Sequence, residues 1–138
     1  MKPITLAAIL AATTAQAQTF APPSTAFTFA GAMYVAAPGF TRLNCPINGT
    51  GQVTANGTVK IQAVTACAGV TATRLPWPWK ATGPGAGKGK VSLSVNGVDC
   101  EDSDTLSLSG GVFLFYNSGA GVCIISGSFQ TLPGLTIQ

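Results

Sequence analysis

The sequence predicts an all-β fold, a single-domain antiparallel β-sandwich of the immunoglobulin-like or a related type. Three observations lead to this prediction. The chain carries about seven to nine short alternating or apolar segments, glycine-containing turn signals separate them, and no capped segment with helical periodicity follows residue 17. The length of 138 residues suits one domain with a sizeable core.

The first seventeen residues are arranged like a cleavable export signal. Lys2 precedes the apolar run Ile4–Ala12, and Ala15-Gln16-Ala17 supplies the small residues that signal peptidase requires. The run is too short to span a bilayer. We therefore expect a signal peptide at 1–17 and a secreted domain at 18–138 without a transmembrane segment. Its expected location is extracellular or at the cell surface, with the periplasm as an alternative.

The first β segments are predicted from alternation and one turn signal. In Ser24–Val35, large apolar residues alternate with smaller ones, which indicates an opening strand with a break near Gly31. In Val53–Ile61, Asn56-Gly57 separates two β-prone arms. Both residues tolerate positive φ, so a hairpin with a type I′ turn is predicted here.

The second half of the chain repeats these signals. Val91–Val95 alternates strictly and is followed by Asn96-Gly97, which predicts a second hairpin towards Cys100. Continuously apolar runs indicate strands that are covered on both sides. The remaining predicted strands are Leu106–Ser109, Val112–Tyr116, Val122–Ile125 and a closing strand from Phe129 and Leu132–Ile137 that Pro133-Gly134 interrupts.

Cys45, Cys67, Cys100 and Cys123 are expected to form two disulfides, because an exported chain meets an oxidising compartment. Four cysteines allow three pairings. We favour Cys45 with Cys67 and Cys100 with Cys123, since each pair flanks one short β segment. Each bridge would stabilise the fold by roughly 3 kcal/mol in the chain-entropy model. A zinc site is disfavoured, because the chain has no His and no CxxC pair.

The chain carries little charge, and this shapes the partners that we expect. Seven Lys or Arg, one of them Lys2, stand against four Asp or Glu, and no dense basic run predicts nucleic-acid binding. The positions predicted to face outward in Val91–Val95 and Leu106–Ser109 are Ser. Because edge strands are normally protected by charge, this surface predicts self-association through sheet edges, or contact with a surface or matrix.

All four acidic residues, Asp99, Glu101, Asp102 and Asp104, lie within one short segment. Calcium requires several oxygen ligands at once, so this segment is the candidate metal site. Its spacing fits no EF-hand. The alternative, which we favour, is an acidic turn beside Cys100 that faces water.

Trp77 and Trp79 lie two residues apart in Leu75–Lys80, where prolines keep the chain extended. Two indoles on one side of such a segment could stack against a sugar or an apolar ligand. The alternative is that one or both rings fill the core, because large aromatic side chains are mostly buried.

No enzyme chemistry is predicted. Without His, a Ser or Cys nucleophile lacks its usual base, and the clustered acids have no opposing carboxylate across a cleft. The glycine-rich segment Gly83–Gly89 lacks the first Gly and the Ser or Thr of a phosphate-binding loop, so an interstrand loop is expected there. No cofactor is expected.

Several stretches resemble one family. Gln18–Thr28, Cys45–Gly51, Ala55–Thr58 and Leu75–Trp77 are similar to small secreted bacterial proteins of the PraB type, which are described as alkane oxidation activators and as biofilm-associated adhesins. The resemblance implies an exported, non-enzymatic protein of the cell surface or biofilm matrix, and it supplies no catalytic residues.

These observations predict an exported structural or adhesive protein that acts at the cell surface or in the biofilm matrix and aids contact with apolar substrates such as alkanes. The alternative is a small secreted module that binds a carbohydrate or a hydrophobic ligand through Trp77 and Trp79.

Overall fold

The computed structural model describes residues 18–39, 42–116 and 123–138. The predicted signal peptide at 1–17 lies outside these residues. The described chain forms eleven strands, and none of it is helical, so no helix there has the length and apolar character needed to cross a membrane. The strands are β1 Phe20–Ala21, β2 Thr25–Ala36, β3 Leu43–Val53, β4 Val59–Thr65, β5 Val70–Ala72, β6 Trp77–Gly83, β7 Ala86–Val95, β8 Val98–Ser109, β9 Val112–Tyr116, β10 Ile124–Leu132 and β11 Thr136–Ile137.

Eight of the strands close into an antiparallel barrel, which corrects the predicted sandwich. Their order is β7-β6-β4-β3-β2-β10-β9-β8, and β8 then pairs with β7 from Ala86 to Val95. β5 adds to one end of β7, and β1 pairs with β11 in a separate two-stranded sheet. Sandwiches and small barrels both bury alternate residues of each strand, so alternation alone does not distinguish them.

Closure bears on the predicted self-association through sheet edges, which stays a prediction. Each of the eight barrel strands has a hydrogen-bonded neighbour on both sides, so the free edges of the described sheets are those of β5 and of the β1–β11 pair. A closed barrel needs no charged residues to protect its own strands from edge pairing. The scarcity of charge on these strands therefore requires another explanation.

The two Asn-Gly sequences that were predicted to form hairpins, Asn56-Gly57 and Asn96-Gly97, form different turns. Asn96 and Gly97 both have positive φ, 48° and 86°, and connect the directly paired Val95 and Val98, as the type I′ prediction requires. At the first hairpin only Gly57 has positive φ, and the amide of Gly57 donates to the carbonyl of Thr54 at 3.0 Å. That hairpin is present, but its turn is wider than predicted because Thr54 and Thr58 side chains bond across it.

The two strands β2 and β3 are longer than the sequence suggested. β2 continues through Gly31, where a Cβ would overlap the carbonyl oxygen of Ser128 on β10, so the predicted break is instead a close contact between strands. β3 contains Pro46 and was predicted only at its end. The β3–β4 ladder begins only at Asn48, so Pro46, which has no N–H to donate, lies outside that ladder.

The two predicted disulfides are present as Cys45–Cys67 and Cys100–Cys123, and they act where strand pairing ends. Cys45 precedes the β3–β4 ladder, and Cys67 follows it. Cys100 lies before the Thr105–Ser109 segment of β8 that pairs with β9, and Cys123 directly precedes β10. The first bridge thus joins the neighbouring strands β3 and β4 beyond the end of their hydrogen-bond ladder, and the second joins β8 to the start of β10, the strand on the far side of β9.

Aromatic side chains fill the barrel, and glycines on adjacent strands make room for them. Trp79 stacks on Phe129 with ring centroids 6.4 Å apart and meets Phe113 edge-on at 5.1 Å. In four register pairs the aromatic ring lies against a directly opposite glycine. These pairs are Phe27–Gly51, Phe29–Gly49, Trp79–Gly89 and Phe115–Gly127.

Candidate functional site

Trp77 and Trp79 do lie on one side of their strand, but that side is the barrel interior. Their exposed fractions are 2% and 1%, and their indole N–H groups donate to the carbonyls of Thr73 and Lys90 at 2.8 and 2.9 Å. A buried ring has no face to offer a ligand. This corrects the predicted binding platform and agrees with the core alternative.

The acidic segment is part of strand β8 and not the predicted turn. Arg74 donates two hydrogen bonds to the Asp99 carboxylate at 2.9 and 3.0 Å, and its Nε lies 3.5 Å from Glu101. Lys90 lies 3.8 Å from the same Glu101 carboxylate. The hydrogen bonds from Arg74 hold the pKa of Asp99 below its usual value. These two acids therefore contact cations of the chain.

A calcium site at this segment remains without support. Among the side chains that the structure describes, no three Asp, Glu, Cys or His residues are grouped so as to hold a metal ion. Asp102 and Asp104 pair through their backbones with Val91 and Gly89, and their side chains lie outside the described set. Asp99 and Glu101 are occupied by Arg74 and Lys90.

The serine surface predicted on Val91–Val95 is only partly formed. Ser92 is fully buried, because Arg74 covers it and donates to its Oγ at 2.8 Å, while Thr73 Oγ1 lies 2.7 Å from the same oxygen. This part of the wall is therefore held by an Arg74-centred network and does not present free hydroxyls.

The uncharged surface lies on another part of the barrel. Strands β3, β2, β10 and β9 are consecutive in the sheet order, and they contain no Asp, Glu, Lys or Arg. We call these four strands the charge-free half. The charged side chains of the barrel strands all belong to β4, β6, β7 and β8, which form the other half. The barrel wall is thus divided by charge into two continuous halves.

Outward side chains of the charge-free half are small, hydroxyl-bearing, amide-bearing or aliphatic. Along β2 they include Ala26, Thr28, Ala30 and Ala32. Three of the four exposed large apolar side chains of the described residues lie on this half, on β9 and β10. They are Leu114, Ile124 and Leu132, with exposed fractions of 36%, 49% and 65%.

Shallow depressions follow strand β2 on this half. The largest, about 310 Å³, is lined by Tyr34, Asn44 and Ser126 among others. Two more, of about 260 and 220 Å³, share Thr28 and Leu132. No charged residue lines any of the three. The surface is thus uneven at the scale of small aliphatic groups.

Two cations lie at the border of this half in the described chain: Lys60 on β4, directly opposite Gln52 of β3, and Arg42 just before β3. The Arg42 guanidinium lies over the Tyr34 ring, 5.5 Å from its centroid, and donates to the Tyr34 hydroxyl at 3.2 Å. The positively charged guanidinium is attracted to the electron-rich face of the tyrosine ring. Arg42 precedes β3 and does not interrupt the wall.

The sequence contained a signal for this surface that the residue motifs did not reveal. No Asp, Glu, Lys or Arg occurs from position 105 to the C-terminus, or between Gln18 and Thr41. Assigning these segments to one wall requires the strand order, because β2 and β3 lie in the first half of the chain and β9 and β10 lie in the second.

Comparison with known proteins gives one match. A family model described as "Alkane oxidation protein activator PraA/PraB-like" matches residues 1–138. No curated protein and no solved structure matches the chain.

Proposed function

The chain belongs to the family of PraA/PraB-like alkane oxidation protein activators, and from this membership we propose that it is exported and aids alkane oxidation by adhesion. In this proposal the charge-free half adsorbs to apolar material, such as alkane droplets, at the cell surface or in the biofilm matrix. The protein acts as a structural, adhesive component and leaves the oxidation itself to other proteins.

The charge division of the barrel is the observation that carries this proposal. A charged side chain brought against hydrocarbon loses hydration that the hydrocarbon cannot replace, which costs several kcal/mol. The charge-free half avoids that cost. Its exposed Leu114, Ile124 and Leu132 gain about 25 cal/mol for each Å² of apolar surface removed from water. The Ser, Thr and Asn side chains between them remain hydrated at an interface.

The proposed export is supported by the two disulfides, which are compatible with an oxidising compartment. The signal peptide at residues 1–17 is part of this proposal. Disulfides that join strands at the barrel ends also suit a protein exposed to an interface, because adsorption promotes unfolding and crosslinks restrict it.

Two pairs of lysine substitutions test the proposal on hexadecane droplets. Ala30→Lys with Ser128→Lys adds two charges to the charge-free half, whereas Thr82→Lys with Thr105→Lys adds two to exposed sites on the other half. We expect the first pair to weaken adsorption at least about tenfold, equivalent to about 1.4 kcal/mol, because the new charges must stay hydrated. The control pair is expected to change adsorption by less than about twofold. Depletion of protein from the aqueous phase measures both.

Two results would contradict the proposal. One is that the unsubstituted protein stays in the aqueous phase. The other is that both lysine pairs, which raise the net charge equally, reduce adsorption to the same extent. Circular dichroism of each variant in buffer establishes that the barrel is retained before adsorption is compared.

A further inference from the structure

Four of the seven cationic side chains of the protein lie together on the half of the barrel wall that carries charge. Lys60 lies on β4, Lys80 on β6, and Lys88 and Lys90 on β7, and all four are exposed. We call them the lysine patch. In the closed order, β6 is four strands away from β10 and β7 is four strands away from β2, so Lys80, Lys88 and Lys90 face away from the centre of the charge-free half, whereas β4 with Lys60 adjoins β3.

The register places these lysines side by side. Lys80 and Lys88 are directly opposite each other on β6 and β7, and Lys60 is opposite Pro78, two residues before Lys80. Directly opposed like charges destabilise a sheet, and neighbouring strands are only about 4.8 Å apart. Among the side chains that the structure describes, Lys90 has an acidic neighbour, Glu101 at 3.8 Å. An arrangement that is unfavourable in the free protein becomes favourable when an anion bridges it.

A shallow groove runs between the lysines. Its volume is about 340 Å³, and besides Lys80, Lys88 and Lys90 it is lined by Pro78, Thr82, Gly89 and Ser103. Gly89 lies between Lys88 and Lys90, and a Cβ there would point inward to the Trp79 indole, so the position is held by interior packing. Pro78 adds an apolar ring face to the groove. The hydroxyl of Thr82 can hydrogen-bond to a ligand that carries its own hydroxyls.

We propose that the lysine patch binds a linear polysaccharide that carries carboxylates. Such a chain presents negative charges at regular intervals to lysines on successive strands, sugar hydroxyls to Thr82, and the C–H face of a ring to Pro78. Binding here does not require the charge-free half. The protein could then hold an anionic polymer on one side and apolar material on the other.

The geometry disfavours other anionic partners. The lysines are exposed and spread over three strands, so they do not converge on a single small anion. Three of the four exposed large apolar side chains of the described residues, Leu114, Ile124 and Leu132, lie on the opposite half, which disfavours insertion of this face into a lipid surface. Tight binding to duplex DNA uses more phosphate contacts than four lysines provide. Strand addition by an acidic peptide is limited to a short stretch of β6, because β6 pairs with β7 from Trp79 to Gly83 and with β4 from Trp77 to Trp79.

Binding to polygalacturonate, with dextran as the neutral comparison, tests the assignment in the absence of hydrocarbon. We expect polygalacturonate to bind and dextran not to bind. Raising the salt concentration about tenfold is expected to weaken binding at least about tenfold, since several counterions are displaced. Lys88→Gln should weaken binding severalfold, and Lys80→Gln with Lys88→Gln should abolish it. Arg42→Gln removes the same charge outside the patch and should have little effect.

The proposal is overturned if Lys88→Gln and Arg42→Gln weaken binding equally, because the effect would then be that of net charge alone. It is also overturned if duplex DNA or anionic phospholipid vesicles bind more tightly than polygalacturonate, or if no polysaccharide binds. None of these results bears on adsorption to hexadecane, so this proposal and the adhesive one can fail separately.

Discussion

Replacing Trp79 with alanine is expected to lower the free energy of unfolding by about 3–5 kcal/mol, a large part of the stability of a domain of this size. The indole is 1% exposed and contacts the rings of Phe113, Phe115 and Phe129. Truncation leaves a cavity at the centre of the barrel, and closure on both sides restricts the collapse of the wall into it.

Urea unfolding followed by circular dichroism measures this effect. Leu132→Ala is the matched control, because Leu132 is 65% exposed and its truncation should change stability by less than about 0.5 kcal/mol. Trp79→Phe keeps a ring but loses the hydrogen bond to the Lys90 carbonyl, and it should fall between the two. Equal midpoints for Trp79→Ala and Leu132→Ala would show that the interior is not packed around Trp79.

Gly89→Ala is expected to destabilise the protein by about 1–3 kcal/mol, although alanine normally suits a strand better than glycine. A Cβ at this position would overlap the Trp79 indole, and the backbone of Gly89 needs no positive φ. The cost is therefore one of packing. Gly83→Ala, where a Cβ meets no atom within 4 Å, is the matched control and should be neutral or slightly stabilising.

A double-mutant cycle separates this packing effect from any other. In Trp79→Ala with Gly89→Ala, the new methyl group enters the space that the indole left, so the double variant should be more stable than the two single effects predict when added. The coupling is expected to reach about 0.5–3 kcal/mol. Strict additivity would contradict the assignment of Trp79 and Gly89 as a packed pair.

The strands and the disulfides were largely accessible from the sequence, because they depend on local patterns. Alternation in Val91–Val95 and the Asn96-Gly97 turn predicted the β7–β8 hairpin, and the spacing of the cysteines favoured the observed pairing. Local patterns gave a wrong prediction where contacts with a neighbouring strand determine the conformation of a segment. The glycine-rich segment was predicted as a loop, yet Gly87 and Gly89 lie within β7, since Trp79 needs a residue without a side chain opposite it.

The barrel and the candidate site depend on strand order, which no local pattern specifies. Alternation buries one face of each strand in either a sandwich or a barrel, and the β7–β8 contact that closes the sheet joins two strands already predicted as a hairpin. Trp77 and Trp79 share a face, as predicted, but only the closed sheet shows that this face is interior. The charge-free half likewise exists only once β9 and β10 are placed beside β2 and β3.

The most direct test of the account is hydroxyl-radical footprinting of the protein in buffer and adsorbed on hexadecane droplets. We predict that Leu114, Ile124 and Leu132 on the charge-free half become protected on adsorption. Leu75, which is 36% exposed and precedes β6 on the charged half, should remain as reactive as in buffer. Protection of Leu75 while Ile124 and Leu132 stay reactive would contradict the claim that the charge-free half is the surface that contacts apolar material.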